Sequence, residues 1–96
     1  MKKLNEIEKE KLTAICELYC CKDRVALMEE YDYNKSIKIS KYKEITEKLA
    51  SKSTELTQND RTLIIIAIVW MLNNIRHSEE VNQYYTKLKQ KIKELA

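Results

Sequence analysis

The sequence predicts an all-α fold, a small antiparallel bundle of about four helices around a central apolar helix. The 96-residue chain contains no glycine and no proline, although hairpins and many tight turns need glycine. Lysine, glutamate, leucine and isoleucine dominate it, and they favour helices joined by short polar connections. Residues 63–72 carry no polar side chain, and a helix that is apolar on every face must be covered by neighbours. The length predicts one helical domain over residues 1–96.

The first helix is predicted to begin near Lys3 and to persist to about Glu30. One apolar stripe along it advances in alternating steps of three and four residues, interrupted only by Lys11, and this spacing keeps side chains on one helical face. Ile15 and Tyr19 widen the stripe, so we expect it to point into the core. The stripe consists of Leu4, Ile7, Ala14, Leu18, Cys21, Val25 and Met28.

The second helix is predicted over residues 41–52, after a loop over residues 31–36 in which the helical periodicity breaks. Asn34 in this loop suits a left-handed backbone conformation. Residues 37–39 alternate like a strand, but they have no partner strand and are assigned to the loop. Ser40 is the expected N-cap, and the inward row of the helix is Tyr42, Ile45 and Leu49.

The third and fourth helices are predicted from their capping sequences. Thr57 followed by Asp60 has the pattern of a capping box, which predicts a helix from Gln58 to about Arg76. Ser78 begins the fourth helix, whose acidic first turn and basic last turns match the helix dipole. Its apolar stripe must dock on another element, and it consists of Val81, Tyr85, Leu88, Ile92 and Leu95.

No catalytic, metal or cofactor motif stands out in the sequence. Cys16, Cys20 and Cys21 with His77 form a nominal zinc set, but the two-residue spacing of a zinc knuckle is missing. We therefore expect reduced cysteines, no metal and no cofactor. Nucleophilic catalysis would need a Cys–His pair with an orienting group, and no such arrangement or glycine-shaped oxyanion loop is present. The chain is therefore predicted not to be an enzyme.

The most basic region covers residues 35–52, with six lysines against two glutamates. Its candidate anion contacts are Lys35, Lys38, Lys41 and Lys43. One alternative function is therefore nucleic-acid binding through this region. It is not favoured, because the net charge is only +3 and because phosphate forks and base readout favour arginine, which is scarce here. Another alternative is sequestration of a small, nucleotide-like anion between subunits.

Two groups of residues are candidates for a protein interface. Tyrosine is favoured at interfaces because its ring packs while its hydroxyl stays hydrogen-bonded, and the candidates are Tyr31, Tyr33 and Tyr84. A second apolar strip on the first helix suits another helix or a subunit contact, and it consists of Cys16, Cys20 and Leu27. A four-helix monomer would struggle to bury this strip together with the main stripe, so we expect a homodimer or a higher oligomer.

These observations predict a small non-enzymatic protein that acts by binding another protein or itself. The odd number of cysteines and a charged N-terminal segment favour a cytoplasmic location, and residues 63–72 are too few for a membrane span. Helical proteins of this size and composition are common among phage and plasmid accessory products. The expected class is therefore an inhibitor, an immunity protein or an anti-defence factor.

Overall fold

The computed structural model describes residues 3–52 and 55–95, and it confirms the predicted all-α bundle. Four helices form the described part of the chain, and no strand occurs in it. They are α1 (Glu6–Glu29), α2 (Tyr33–Ala50), α3 (Gln58–Asn74) and α4 (Glu79–Glu94). None of the described helices is both long and apolar enough to cross a membrane.

Each helix begins at a polar N-cap. Thr57 and Asp60 form the predicted capping box, in which each side chain accepts a hydrogen bond from the other's amide. Asn5 and Glu8 form a second one at the start of α1, and Ser78 caps α4 as predicted. All four C-caps have extended backbone, and no described residue has a positive φ. In this chain without glycine, the described helices thus end without the left-handed C-terminal cap that glycine favours.

The start of α2 differs from the prediction. The helix begins at Tyr33, because the Asp32 carboxylate accepts a hydrogen bond from the Lys35 amide at 3.0 Å and so caps it. The predicted loop is therefore wrong for residues 33–36, and Asn34 is helical rather than left-handed. Residues 37–39 also belong to α2. The predicted inward row of α2 is confirmed, because its members are all buried: Tyr42, Ile45 and Leu49.

The helices form a flat body. α1 packs most extensively against α2 and also contacts α3, while α3 contacts α4. The principal dimensions are 42, 33 and 19 Å, and the smallest equals about two packed helices. The largest fully buried side chains come from all four helices: Leu12, Ile45, Ile64, Ile68, Ile92, Cys16 and Cys20.

This flatness explains why α3 is not covered on every side. Ile64 and Ile68 are fully buried, but Ile66 and Val69 on the opposite face are 42% and 37% exposed. A body only two helices thick cannot surround one of its members. The expectation that other helices or other copies of the chain cover the whole apolar run is therefore met on one face only by the described helices of the same chain.

Candidate functional site

Exposed apolar side chains are concentrated on α1 and the residues that follow it. Ten large apolar or aromatic side chains are exposed in the described part of the chain, and six of them lie between positions 7 and 33. Scattered exposed apolar residues are ordinary, whereas a contiguous group indicates an interaction surface. We call the exposed apolar row of α1 the α1 seam, and it consists of Ile7, Ala14, Leu18, Cys21, Val25 and Met28.

The α1 seam is the stripe that the sequence assigned to the core, apart from its first residue. Leu4 is half-buried and packs on the core, but the rest of the stripe is exposed, and Met28 has the largest exposed fraction at 86%. The side chains of α1 that are buried in the core lie instead on its other face: Leu12, Ile15, Cys16 and Cys20. The predicted orientation of α1 is therefore wrong by about half a turn of the helix.

Contacts with α2 and α3 hold α1 in this orientation. The Lys38 ammonium donates a hydrogen bond to the Asp23 carboxylate at 2.5 Å and lies 3.8 Å from the centre of the Tyr19 ring. That ring packs edge-on against Tyr42 and tilted against Trp70, with centroid separations of 5.3 and 5.2 Å. Such aromatic and cation–π contacts add to the hydrophobic burial of this face. They fix which side of α1 points outward.

The Lys38 ammonium is consequently engaged inside the molecule. Burial by itself lowers the pKa of Lys38, but the hydrogen bond from its ammonium to Asp23 and the electrostatic attraction of Tyr19, Asp23 and Cys20 together outweigh burial and raise it. Among the other candidate anion contacts, Lys35 is half-buried and Lys41 and Lys43 are exposed. Lys48 farther along α2 pairs with Asp60 at 2.6 Å. The basic region is thus partly neutralised by carboxylates within the fold.

The cysteines occupy two different environments. Cys16 and Cys20 are buried, whereas Cys21 is exposed. Burial raises the pKa of Cys16 to about 12, and it also raises the pKa of Cys20, so both thiols are protonated and poor nucleophiles at neutral pH. Cys16 and Cys20 are buried between helices, so of their two predicted roles, contact with another helix or with a subunit, the structure shows the first. In this structure they do not reach a surface where a subunit could contact them.

His77 is held close to the start of α4. Its ring nitrogens lie 2.7 Å from the Ile75 carbonyl oxygen and 3.1 Å from the Asn82 amide nitrogen. Within residues 3–52 and 55–95, no three side chains of His, Cys, Asp or Glu are grouped so that they could hold a metal ion. The nominal zinc set of the sequence is therefore not assembled by the fold.

The three candidate interface tyrosines lie near opposite ends of α1. Tyr31 and Tyr33 follow its C-terminal end and are exposed, while Leu27 is half-buried. Tyr84 comes from α4 and lies beneath the Lys11 ammonium, 5.1 Å from ring centre to nitrogen. Since Lys11 is about 27 Å along the helix axis from the end of α1, the structure does not bring the three tyrosines together. Tyr31 and Tyr33 follow the C-terminal end of the α1 seam in the sequence.

Charged side chains line both edges of the α1 seam. Glu17 and Arg24 each precede a seam residue and lie along one edge, whereas Lys22 and Glu29 each follow one and lie along the other. All four are exposed, and none takes part in an ion pair with another residue of the described ranges. By contrast, Glu8 nearer the N-terminus pairs with Lys91 of α4 at 2.8 Å. The seam therefore combines an apolar centre with charges free to meet a partner.

No protein-family model matches this sequence, and comparisons with curated proteins and with solved structures find no match either.

Proposed function

We propose that this chain is a non-enzymatic protein that acts by binding a polypeptide along the α1 seam. The observation that carries the proposal is the continuous exposure of apolar side chains from Leu18 to Met28 on one face of a helix whose other face is packed. Such a helix face is a common recognition surface for another helix. An inhibitor, an immunity protein or an anti-defence factor in the cytoplasm would need no more than a surface of this kind.

The exposed side chains suit a protein partner in their chemistry. Covering a leucine, a valine and a methionine that are about half exposed or more contributes roughly 1 kcal/mol or more for each side chain. Met28 at the end of the seam has an unbranched, polarisable side chain that adapts to the shape of a partner. Tyr31 and Tyr33 add aromatic rings with hydroxyl groups, which interfaces favour. The seam is thus built for apolar contact with a polar margin.

The two alternatives draw on the basic region and have less support. Lys38 and Lys48 already pair with carboxylates, which leaves fewer lysines to neutralise phosphates. Lys41 and Lys43 remain exposed, so nucleic-acid binding and anion sequestration predict an affinity that falls steeply with salt. Protein binding along an apolar seam predicts little dependence on salt.

A photo-crosslinking experiment in cells that express the full chain tests the proposal. Benzoylphenylalanine in place of Leu18 should give discrete crosslinked species, and the same group in place of Lys43 on α2 should give few. Adding Val25→Asp should abolish the crosslinks from position 18, because it places a charge inside the proposed contact. Crosslinks that are equally frequent at both positions, or that survive Val25→Asp, would contradict a binding function for the seam.

A further inference from the structure

We infer that the occupant of the α1 seam is the same seam of a second copy of this chain, with the two α1 helices parallel and in register. This inference rests on the proposed function and names the partner. It is carried by three features of the described residues: the period of the seam, the sign of the charges along its edges, and the packing that orders α1 beforehand.

The first feature is the period of the seam. The seam follows one heptad repeat. Its a positions are Leu4, Lys11, Leu18 and Val25, and its d positions are Ile7, Ala14, Cys21 and Met28. A repeat of 3.5 residues keeps an apolar row facing a like helix along its whole length, as in a left-handed coiled coil. A partner with the same period matches this row best. A second copy has that period by definition.

Lys11 interrupts the apolar row of the seam, but its charge does not lie at the centre of the row. Its ammonium turns toward the Tyr84 ring of α4, so its charge lies over an aromatic face instead of at the centre of the row. The uninterrupted part runs from Ala14 to Met28, which is about 21 Å of helix. Pairing is therefore expected over two heptads.

The second feature is charge complementarity along the edges. In a parallel pair of helices, a residue that precedes an a position faces the residue five positions later on the partner. Glu17 then faces Lys22 of the second copy, and Arg24 faces Glu29. Both contacts join opposite charges, and two-fold symmetry repeats each of them. Since none of the four has an ion pair within its own described chain, all are free to form these contacts.

The third feature is that α1 is already ordered. Its other face is buried against α2 and α3 through side chains such as Leu12 and Cys20, so the helix does not have to fold in order to pair. This removes the ordering cost that makes short isolated coiled coils marginal. A two-heptad contact remains small, and we expect weak association that depends on concentration.

Concentration-dependent mass measurement on the purified full chain provides the test. Sedimentation equilibrium should show a monomer–dimer equilibrium. Val25→Asp should weaken it at least about tenfold, because it buries an unpaired charge at the contact. Val69→Asp is the matched control, since Val69 is also an exposed valine near the end of a helix but lies on α3. The control should leave the equilibrium unchanged.

A charge exchange tests the parallel arrangement. Glu17→Lys alone should weaken the dimer, because it places like charges opposite each other. Adding Lys22→Glu should restore the dimer, since the two edges then carry exchanged but opposite signs. In an antiparallel pair Glu17 would face Arg24 instead, and the double variant would stay weak. That result would overturn the parallel arrangement.

The two proposals can fail separately. A purified chain that stays monomeric at high concentration, while crosslinks from position 18 in cells still depend on Val25, would overturn the second copy as occupant and leave the binding function standing. A dimer that Val25→Asp and Val69→Asp weaken equally would also overturn the inference, because the contact would then lie elsewhere. Loss of the crosslinks as well would remove the binding function itself.

Discussion

Two adjacent cysteines mark the two faces of α1. Cys20 is fully buried against the rest of the bundle, whereas Cys21, one residue later, lies in the exposed α1 seam. Both faces carry apolar side chains of similar size, with Leu12 on the buried face and Leu18 on the exposed one. The comparison shows that apolar character by itself does not decide which face of a helix is buried. The neighbouring helices decide it, through the side chains that they offer.

The buried face is defined by its contacts with particular partners. Tyr19 packs edge-on against Tyr42 and tilted against Trp70, and Asp23 accepts a hydrogen bond from Lys38. The exposed face has no such partners in the described chain, but it has the more regular repeat. A regular heptad repeat is typical of contact with another helix along its length.

The largest difference between the two faces is expected in thiol reactivity. Alkylation of the native protein, at a concentration low enough to keep the chain monomeric, should modify Cys21 readily, because its thiol is exposed. Cys20 should react at least about a thousandfold more slowly than Cys21, because exposing its thiol needs an unfolding event that costs several kcal/mol. Mass spectrometry of the peptides after timed alkylation gives both rates. Similar rates for the two thiols would mean that α1 is rotated relative to this description.

The next largest difference concerns truncation of the two leucines. Leu12→Ala removes a fully buried side chain and should lower the free energy of unfolding by about 2–5 kcal/mol. Leu18→Ala removes a side chain that is 46% exposed and should cost under about 1 kcal/mol. Urea titration at low protein concentration, where a dimer contributes little, measures both. Equal costs would contradict the assignment of the two faces.

The smallest expected effect concerns pH. Burial by itself raises the pKa of Glu8, but the hydrogen bonds from Lys91 and the Asn5 amide, together with the positive charge of Lys91, outweigh burial and hold the pKa below its ordinary value of 4.5. The stabilisation from this carboxylate is therefore complete above about pH 5 and is lost as the pH falls through the lower value of the folded state. Glu8→Gln should cost about 0.5–1 kcal/mol at neutral pH and should flatten this acid dependence.

The matched control for the pH prediction is Glu17→Gln. Glu17 lies on the same helix but has no ion-pair partner among the described residues. At a protein concentration low enough to keep the chain monomeric, its replacement should therefore leave the acid dependence as it is. Thermal unfolding between pH 3 and 7, followed by circular dichroism, compares the two variants with the parent chain. An acid dependence that changes equally in both would show that Glu8 has no special role.

Much of the secondary structure could be predicted because its signals are local. The caps at Thr57 and Ser78 act over three residues of chain, and the lack of glycine and proline excludes most alternatives to helix. The same holds for α4, where Leu88 and Ile92 of the predicted stripe are buried. The start of α2 was missed, although Asp32 was a usable signal. A capping aspartate three residues before Lys35 indicates a helix as clearly as Thr57 does.

The orientation of α1 was decided only by the tertiary structure. The sequence places apolar residues on two opposite faces of this helix. Periodicity predicts that the more regular of the two rows faces the core, but the structure buries the other one. The choice depends on contacts such as the one between Lys38 and Asp23, which lie 15 residues apart in the chain. Likewise, Ile66 and Ile68 are identical side chains in one apolar run, and only the thickness of the body determines that one is exposed and the other buried. Residue types and short spacings determine where helices form, but burial depends on which surfaces meet, and that is a property of the whole fold.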